Sequence, residues 1–441
     1  MLGYYLELAV RSLRRSPGLT ALMMLMIGFG VASSMTMYAV VRGLSADPIP
    51  SKSSQLFAPQ IDSWGPRDRG PDGEPPAGLD YADATALMRQ HRATRQSAMY
   101  RISPSVMPTD SSHNRSPILL DGYAVTSEFF PMLDVPFLYG HGWSAQEDAT
   151  QAPVAVISDR LNRQIFGGGN SVGKTIDLDS HDYRVVGVML EWNPQPVFFD
   201  TVNPGFGGEG SAVLVPFQQA VAVNMDNQSS DTCRKGTSDP NADFAELRRS
   251  DCVWISYMVE LDDAASVQRY RSYLDNYASE QQKAGRFDWA PNNRLRDVPA
   301  VLYHEHVMPS SIRVSMLVAA GLLLVCLVNT VGLLLAKFLR RSGEIGVRRA
   351  LGASRGAISV QFLIEAGVIG VGGGVLGLLL TTFGVLSIGL VLSPVYADTA
   401  HIDVRLLVLS LLTAVMATIL AGLYPSLRAA RVQPAWQLKA S

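Results

Sequence analysis

Four uncharged apolar stretches frame one long polar insert, and this layout constrains the fold more than any other feature of the chain. The stretches run from Gly18 to Val41, Val314 to Ala336, Ala366 to Ala397 and Leu406 to Leu427, and none contains Asp, Glu, Lys or Arg. A helix needs roughly 20 apolar residues to cross the hydrocarbon core of a bilayer. The insert between the first and second stretches has ordinary globular composition. The expected fold class is therefore an α-helical membrane protein with four transmembrane helices and a mixed α+β domain inserted between helices 1 and 2. The expected boundaries are 1–17 for an amphipathic N-terminal helix, 18–44 for the first span and 45–312 for the inserted domain. They continue with 313–338 for the second span, 339–357 for a link, 358–394 for the third span, 395–404 for a loop, 405–427 for the fourth span and 428–441 for a tail.

Charge sets the orientation. The N-terminal segment, the link and the tail together carry Arg11, Arg14, Arg15, Lys337, Arg340, Arg341, Arg348, Arg349, Arg355, Arg428, Arg431 and Lys439, against Glu7, Glu344 and Glu365. The whole chain has a formal net charge of only −2, so the rest of it is acidic. Short loops rich in Lys and Arg stay cytoplasmic. An even number of spans puts both termini on one side, and both ends are basic, so the large domain is expected outside the cytoplasm. The first stretch is longer than the apolar core of a signal peptide and lacks a small-x-small cleavage pattern, which favours a retained anchor. In the third stretch, Gly367, Gly370, Gly372, Gly373, Gly374 and Gly377 favour close helix packing in lipid, and Ser393-Pro394 is expected to end the helix.

Cys326 falls within the second span and reads as a small apolar residue. Cys233 and Cys252 both fall in the outer domain, where an oxidising compartment permits a disulfide around a loop containing Gly236 and Pro240. In that domain, residues 47–78 read as loop with at most short strands, and Asp80 to Gln96 reads as a helix. Pro117 to Tyr123 has strand character. Ser127 to Leu133 reads as a short helix capped by Ser127, and Val154 to Ile157 as a buried strand. Ser158 or Asp159 then caps a helix through Phe166. Further strands are expected at Thr175 to Leu178, Tyr183 to Met189, Val213 to Pro216 and Tyr257 to Leu261. Residues 220–250 read as an irregular insertion, and Ala264 to Lys283 as an amphipathic helix. A domain of this size holds its own core.

Two motifs are set aside. Gly168-Gly169-Asn170-Ser171-Val172-Gly173-Lys174-Thr175 fits the phosphate-loop formula, but that loop must follow a strand and open a helix. Here it follows an expected helix and precedes an expected strand. His304-Glu305-His306 could offer two ligands on one strand face, but no third ligand is apparent, so an interfacial polar stretch is the expectation. The other histidines (His91, His113, His141, His181 and His401) are scattered, and no G-x-S-x-G element appears, so no catalytic or metal site is expected.

The link reads Glu344-Ile345-Gly346-Val347-Arg348-Arg349-Ala350-Leu351-Gly352-Ala353-Ser354. On a helix, Ile345, Arg348, Arg349 and Gly352 share one face, and Val347, Ala350 and Leu351 form the other. This run resembles the signature joining the second and third spans of MacB/FtsX-type ABC transporter permeases. The stretches within Val125 to Met189 resemble the periplasmic core domain of MacB-like proteins, the false phosphate loop included. Gly422-Leu423-Tyr424-Pro425-Ser426-Leu427-Arg428-Ala429-Ala430-Arg431-Val432-Gln433-Pro434 resembles the family's closing motif, with Ser426 in place of the usual Ala, and Leu8 to Leu13 resembles its N-terminal helix. The likeness is weak over residues 47–115 and 220–300.

The resemblance implies a non-catalytic permease of the bacterial inner membrane, with a periplasmic domain and both termini cytoplasmic. No cofactor is expected in this chain; ATP and Mg would be bound by a partner ATPase dimer. A second permease copy, identical or sister, is implied, with a periplasmic adaptor, an outer-membrane channel and membrane lipids as further partners, and no nucleic acid. The resemblance makes the link the coupling segment. Glu344, Arg348 and Arg349 would make polar contacts with the ATPase, Ile345 and Leu351 would pack against it or the membrane, and Gly352 would allow the turn into the third span. Work is transmitted only if ATP favours one arrangement over another. Glu365 is costly at the edge of a span unless paired, and a structural ion pair with a nearby arginine is expected. The alternatives are an FtsX-like regulator of a cell-wall hydrolase, which the size of the outer domain disfavours, a lipoprotein-extracting permease, and a sensor without an ATPase.

Overall fold

The computed structural model describes residues 2–70, 73–107, 117–206, 210–234, 243–305, 307, 310–387 and 402–431. The expectations for His113, Gly236, Pro240, His306, Ser393-Pro394, His401 and residues 432–434 lie outside these. The chain divides into a helical unit, residues 1–46 and 309–441, and a mixed unit, residues 47–308.

The helical unit opens with the amphipathic helix Leu2–Arg15. Four helices long and apolar enough to cross a membrane follow: Pro17–Leu44, Ser310–Leu339, Arg355–Leu386 and Val404–Ala430. Local chemistry starts two of them. The Ser354 side chain accepts from the Ala357 amide at 3.2 Å, and the Asp403 carboxylate accepts from the Leu406 amide at 2.8 Å, each satisfying a donor that a first helical turn leaves free. The third span packs most extensively, against the first and fourth, and its glycines set the spacing. A methyl group on Gly373 would stand 3.0 Å from Ile27 Cβ, and one on Gly374 would stand 2.8 Å from Leu411 Cδ1. Such close approach is how helices bind one another in lipid.

The mixed unit is built on a ten-stranded sheet. Its strands are β1 (Leu56–Gln60), β2 (Arg95–Ile102), β5 (Gly122–Val125), β6 (Phe137–Gly140), β7 (Val154–Ser158), β8 (Thr175–Leu178), β9 (His181–Met189), β10 (Val213–Pro216), β11 (Ser256–Glu260) and β12 (Arg294–Asp297). Strands β3 (Ser105–Val106) and β4 (Ile118–Leu119) form a separate pair. The sheet order is β12-β1-β11-β2-β5-β10-β7-β9-β6, with β8 also on β9. Only β10 with β5 and β7 with β9 run parallel among the described pairs.

Alternation along the strands feeds two apolar layers. Ala98, Tyr100, Ala155, Ile157, Val213, Val215, Tyr257 and Val259 enter one, centred on Trp254 and Phe217. Met99, Val154, Val156, Leu214 and Met258 enter the other, with Phe129, Phe130, Trp143 and Phe199. Burial on both faces explains why β7 and β10 read as unbroken apolar runs.

Two expectations need correction. The helix expected over Asp80 to Gln96 spans only Tyr81–Gln90, because His91 takes a left-handed conformation (φ 45°). The Gln96 side chain donates to the Leu87 and Met88 carbonyls at 3.3 and 2.8 Å, closing the helix end, while its backbone already belongs to β2. The short helix Phe129–Met132 is not capped by Ser127; its N-cap position is Glu128, and the Ser127 amide donates instead to Asp148 at 2.5 Å. Residues 47–78, expected to hold at most short strands, contribute the five-residue β1, which is fully buried. The run Gly168 to Thr175 leaves the helix Asp159–Phe166 and enters β8, with Lys174 placed over the Phe166 ring. Cys233 and Cys252 are joined as a disulfide, flanked by reciprocal backbone hydrogen bonds between Thr232 and Val253 at 3.1 and 2.9 Å.

One buried charge cluster ties the helix Tyr81–Gln90 to the helix Ala264–Lys283. Asp80 caps the first helix through its bond with the Asp83 amide at 2.7 Å. Tyr277 donates to Asp83 at 2.7 Å, and Arg286 contacts Asp80 at 2.5 Å and also Asp83. Burial, with the Asp83 charge beside it, pushes Asp80 from 3.8 up to about 7. The fold therefore binds more protons than the unfolded chain across that window, so stability falls as pH rises through it. Asp80→Asn keeps a capping oxygen and removes the titration. Thermal melting of the full chain between about pH 5 and about pH 8 should show a downward slope in wild type that is flatter in Asp80→Asn. Equal slopes would remove Asp80 as the cause.

Candidate functional site: the link helix and a buried ion cluster

The second span helix ends at Leu339, and two residues later the link helix Ser342–Ala350 begins with Arg341 at its N-cap position. It ends at Leu351, and Gly352 turns the chain with φ at +98°, a conformation an L side chain rarely adopts. Ser354 then caps the third span. These residues define the link end of the helical unit.

The structure separates the link residues into two groups. Ile345 is buried among Leu334, Phe338, Ile358, Phe362, Ala429 and Ala430. Glu344 accepts from Arg341 at 3.1 Å and from Arg348 at 2.7 Å. Arg348 also donates to Gln361 on the third span at 2.8 Å, and Arg349 to the Ala430 carbonyl on the fourth at 3.3 Å. By contrast, Val347 is 62% and Leu351 83% exposed, with Ala350 exposed between them. The structure therefore parts Ile345, which is buried, from Leu351, which is exposed, and gives Glu344, Arg348 and Arg349 partners within the chain, whereas the resemblance implied that these three meet the ATPase and that Ile345 and Leu351 pack against it or the membrane. The face bearing Ile345 turns inward, because it offers an apolar anchor and long side chains that reach the span carboxamide and carbonyls. The small apolar face is left outside.

Behind the link helix lies an ion cluster. Glu365 is 1% and Lys337 4% exposed, and they pair at 2.8 Å. Glu365 also accepts from Arg341 at 3.1 Å and from the Ser12 hydroxyl at 2.6 Å. Ser12 in turn accepts from Arg341 at 2.8 Å. Lys337 reaches Thr20 on the first span at 3.5 Å. Glu365 is thus paired with a lysine as well as the expected arginine. Sequence reasoning missed Ser12 and Lys337 as partners, although Lys337 stands only four residues before Arg341 at the end of the second span. Among the described residues no group of three His, Cys, Asp or Glu side chains is arranged to hold a metal ion. His304 lies 3.9 Å from Glu74.

An inserted α+β domain, four spans and a link helix between the second and third define a class of membrane permease. Residues 20–277 match the MacB-like periplasmic core domain, and residues 316–434 match the FtsX-like permease C-terminal region. The chain belongs to this MacB/FtsX-type family of ABC transporter permeases. It is 25% identical over 435 residues to the macrolide export ATP-binding/permease protein MacB 1/2 of Paracoccus denitrificans (strain Pd 1222), covering 97% of this chain and 57% of that protein. It is 23% identical over 327 residues to the uncharacterized ABC transporter permease YvrN of Bacillus subtilis (strain 168), covering 71% and 68% respectively. The chain therefore spans little more than half the length of the MacB relative. A solved periplasmic region of MacB from Actinobacillus actinomycetemcomitans aligns over 61% of this chain and 97% of that one, at 11% identity and a TM-score of 0.36.

Removing one member of a buried ion pair leaves its partner uncompensated, at a cost of about 3–5 kcal/mol, whereas replacing both members by apolar groups is often neutral. Glu365→Ala should lower stability by about that amount in chemical unfolding of the micellar protein. Combining Glu365→Leu with Lys337→Leu should recover most of the loss, since Arg341 keeps Glu344. A Glu365→Ala protein as stable as wild type would show the cluster to be energetically idle.

Proposed function

We propose that this chain is the permease subunit of an ABC transporter complex that relays ATP-driven movement of a separate ATPase pair to a domain in the periplasm. The observation that carries this reading is the outward apolar patch of Val347, Ala350 and Leu351 on a link helix whose polar side chains are engaged within the chain. A solvated helix gains nothing from exposing large apolar side chains, and a protein partner that covers them does. The family membership gives that partner its class. The ATPase supplies the ATP and Mg sites, and Gly352 keeps the patch next to the turn into the third span. Contact energy at the patch is apolar, and the arginines of the link serve the permease's own architecture.

On this reading the chain lies in the bacterial inner membrane with both termini and the link in the cytoplasm, consistent with the basic bias of those segments. It works with a second permease copy and with a periplasmic adaptor and outer-membrane channel. The cargo is a small molecule exported from the periplasmic side, of the macrolide kind named for the MacB relative.

The test is copurification from native membranes with a tagged permease. Wild type should carry an ATPase chain. Val347→Asp and Leu351→Asp should each reduce it by roughly tenfold or more, as expected of an apolar anchor at an interface centre. Recovery of the ATPase at wild-type levels with both variants would remove the patch from the interface. Absence of any ATPase from the wild-type preparation would overturn the reading as a whole.

A further inference from the structure

Arg341 occupies the two-residue break between the second span helix and the link helix. A break of that kind is a natural hinge, since it interrupts the helical hydrogen bonds that would otherwise make the two helices one rod. Its guanidinium reaches both carboxylates of the link end. Nε and Nη2 donate to Glu344 at 3.1 Å, on the link helix, while Nη1 donates to Glu365 at 3.1 Å on the third span and to Ser12 at 2.8 Å on the N-terminal helix. The same side chain stands over the Phe362 ring at 5.9 Å. The fixed fork of a guanidinium suits this double engagement, and the point charge of a lysine does not.

We propose that Arg341 is the positioning residue that locks this hinge, so that the link helix, the second and third spans and the N-terminal helix move as one piece. The proposal rests on the coupling reading above and deepens it: a push received at Leu351 reaches the spans because the hinge does not yield. Arg341 is separable from folding. Without it, Glu365 still pairs with Lys337 at 2.8 Å and Glu344 with Arg348 at 2.7 Å, so neither carboxylate is stranded. What is lost is the connection between the two pairs. The remaining ties between the link helix and its surroundings include the Arg348 to Gln361 bond, the Arg349 to Ala430 bond, the more distant Arg15 to Glu344 pair at 3.8 Å and the burial of Ile345.

The test is amide hydrogen exchange of the full chain in lipid nanodiscs, read separately for the link helix and the four spans. Arg341→Gln should raise exchange across the link helix by roughly tenfold to a hundredfold, with the spans unchanged. Arg341→Lys should give an intermediate rise, and Arg340→Gln, which removes the same charge from the exposed neighbour, should give none. Wild-type exchange in the Arg341→Gln link helix, or an equal rise in Arg340→Gln, would overturn the proposal. So would a rise spread evenly over all four spans, because that marks a general structural role. A second arm uses the copurified ATPase complex. Arg341→Gln should recruit the ATPase as wild type does, yet lose the nucleotide-dependent change in exchange of the spans. If wild type recruits no ATPase, the coupling reading fails while the exchange arm still decides whether Arg341 locks the hinge.

Discussion

Helices in lipid gain no hydrophobic energy by meeting, because acyl chains are as apolar as leucine. Every contact in the helical unit has to come from close approach or from polar groups that find each other. The structure uses both. Glycines of the third span admit Ile27 from the first and Leu411 from the fourth, and Gly422 of the fourth lets Ala366 come within the space a methyl group would need. At the link end, five helices converge on Glu365 and its partners. At the opposite end, Arg42 of the first span pairs at 2.8 Å with Asp403, the residue that caps the fourth. That pair is about 40% exposed on each side and so contributes less than its buried counterpart. The asymmetry makes the link end the firmer one.

The mixed unit solves a different problem with different means. Water is present, so burial of apolar area drives its folding. A sheet buried on both faces needs strands that are apolar at successive positions, and β7 and β10 meet that demand with Val154 to Ile157 and Val213 to Val215. Some of the polar groups buried in this unit come with partners, while the Trp254 indole N–H and the Tyr257 and Tyr270 hydroxyls have no hydrogen-bond partner among the described residues. Asp200 accepts from Tyr123 at 3.0 Å and from Ser256 at 2.8 Å, and Asp62 holds Arg69 at 2.6 Å. The disulfide between Cys233 and Cys252 fixes a polar excursion that has little apolar material of its own.

These two regimes decide what was legible in the sequence. The spans announce themselves because lipid excludes charge from long runs, as in Val314 to Ala336. The strands β7, β10 and β9 are legible because burial on both faces writes apolar runs. β2 begins Arg95-Gln96-Ser97, and its first two residues read as the end of the preceding helix, since they face an ion pair with Glu260 and a helix end. β12 reads Arg294-Leu295-Arg296-Asp297, a polar edge strand whose arginines are held by Glu74. At the candidate site, helical spacing gave the two faces of the link, with Ile345 and Arg348 on one and Val347 and Leu351 on the other. It could not say which face turns inward. That depends on Leu334, Phe362 and Ala430, which come from other helices. The partnership of Ser12 with Glu365 was illegible for the same reason: it joins distant parts of the chain through geometry alone.

The orientation of the link helix also limits how it can work. A helix held to its bundle only by exposed contacts would rock when pushed, and the displacement would dissipate in its own motion. Here the apolar anchor Ile345, the Glu344 carboxylate and both link arginines point inward, and each meets a different neighbour. Rocking about the helix axis breaks at least one of these contacts whichever way it turns. The outward side carries Val347, Ala350 and Leu351, which on the coupling reading proposed above would meet a partner surface without demanding fixed hydrogen-bond geometry. On that proposed reading, a link rigid behind and adaptable in front would let a partner change shape against it while the link itself stays fixed to the spans. The charged residues of the link are thus engaged with the chain's own helices, and on the proposed reading their part is to hold the apolar face in place.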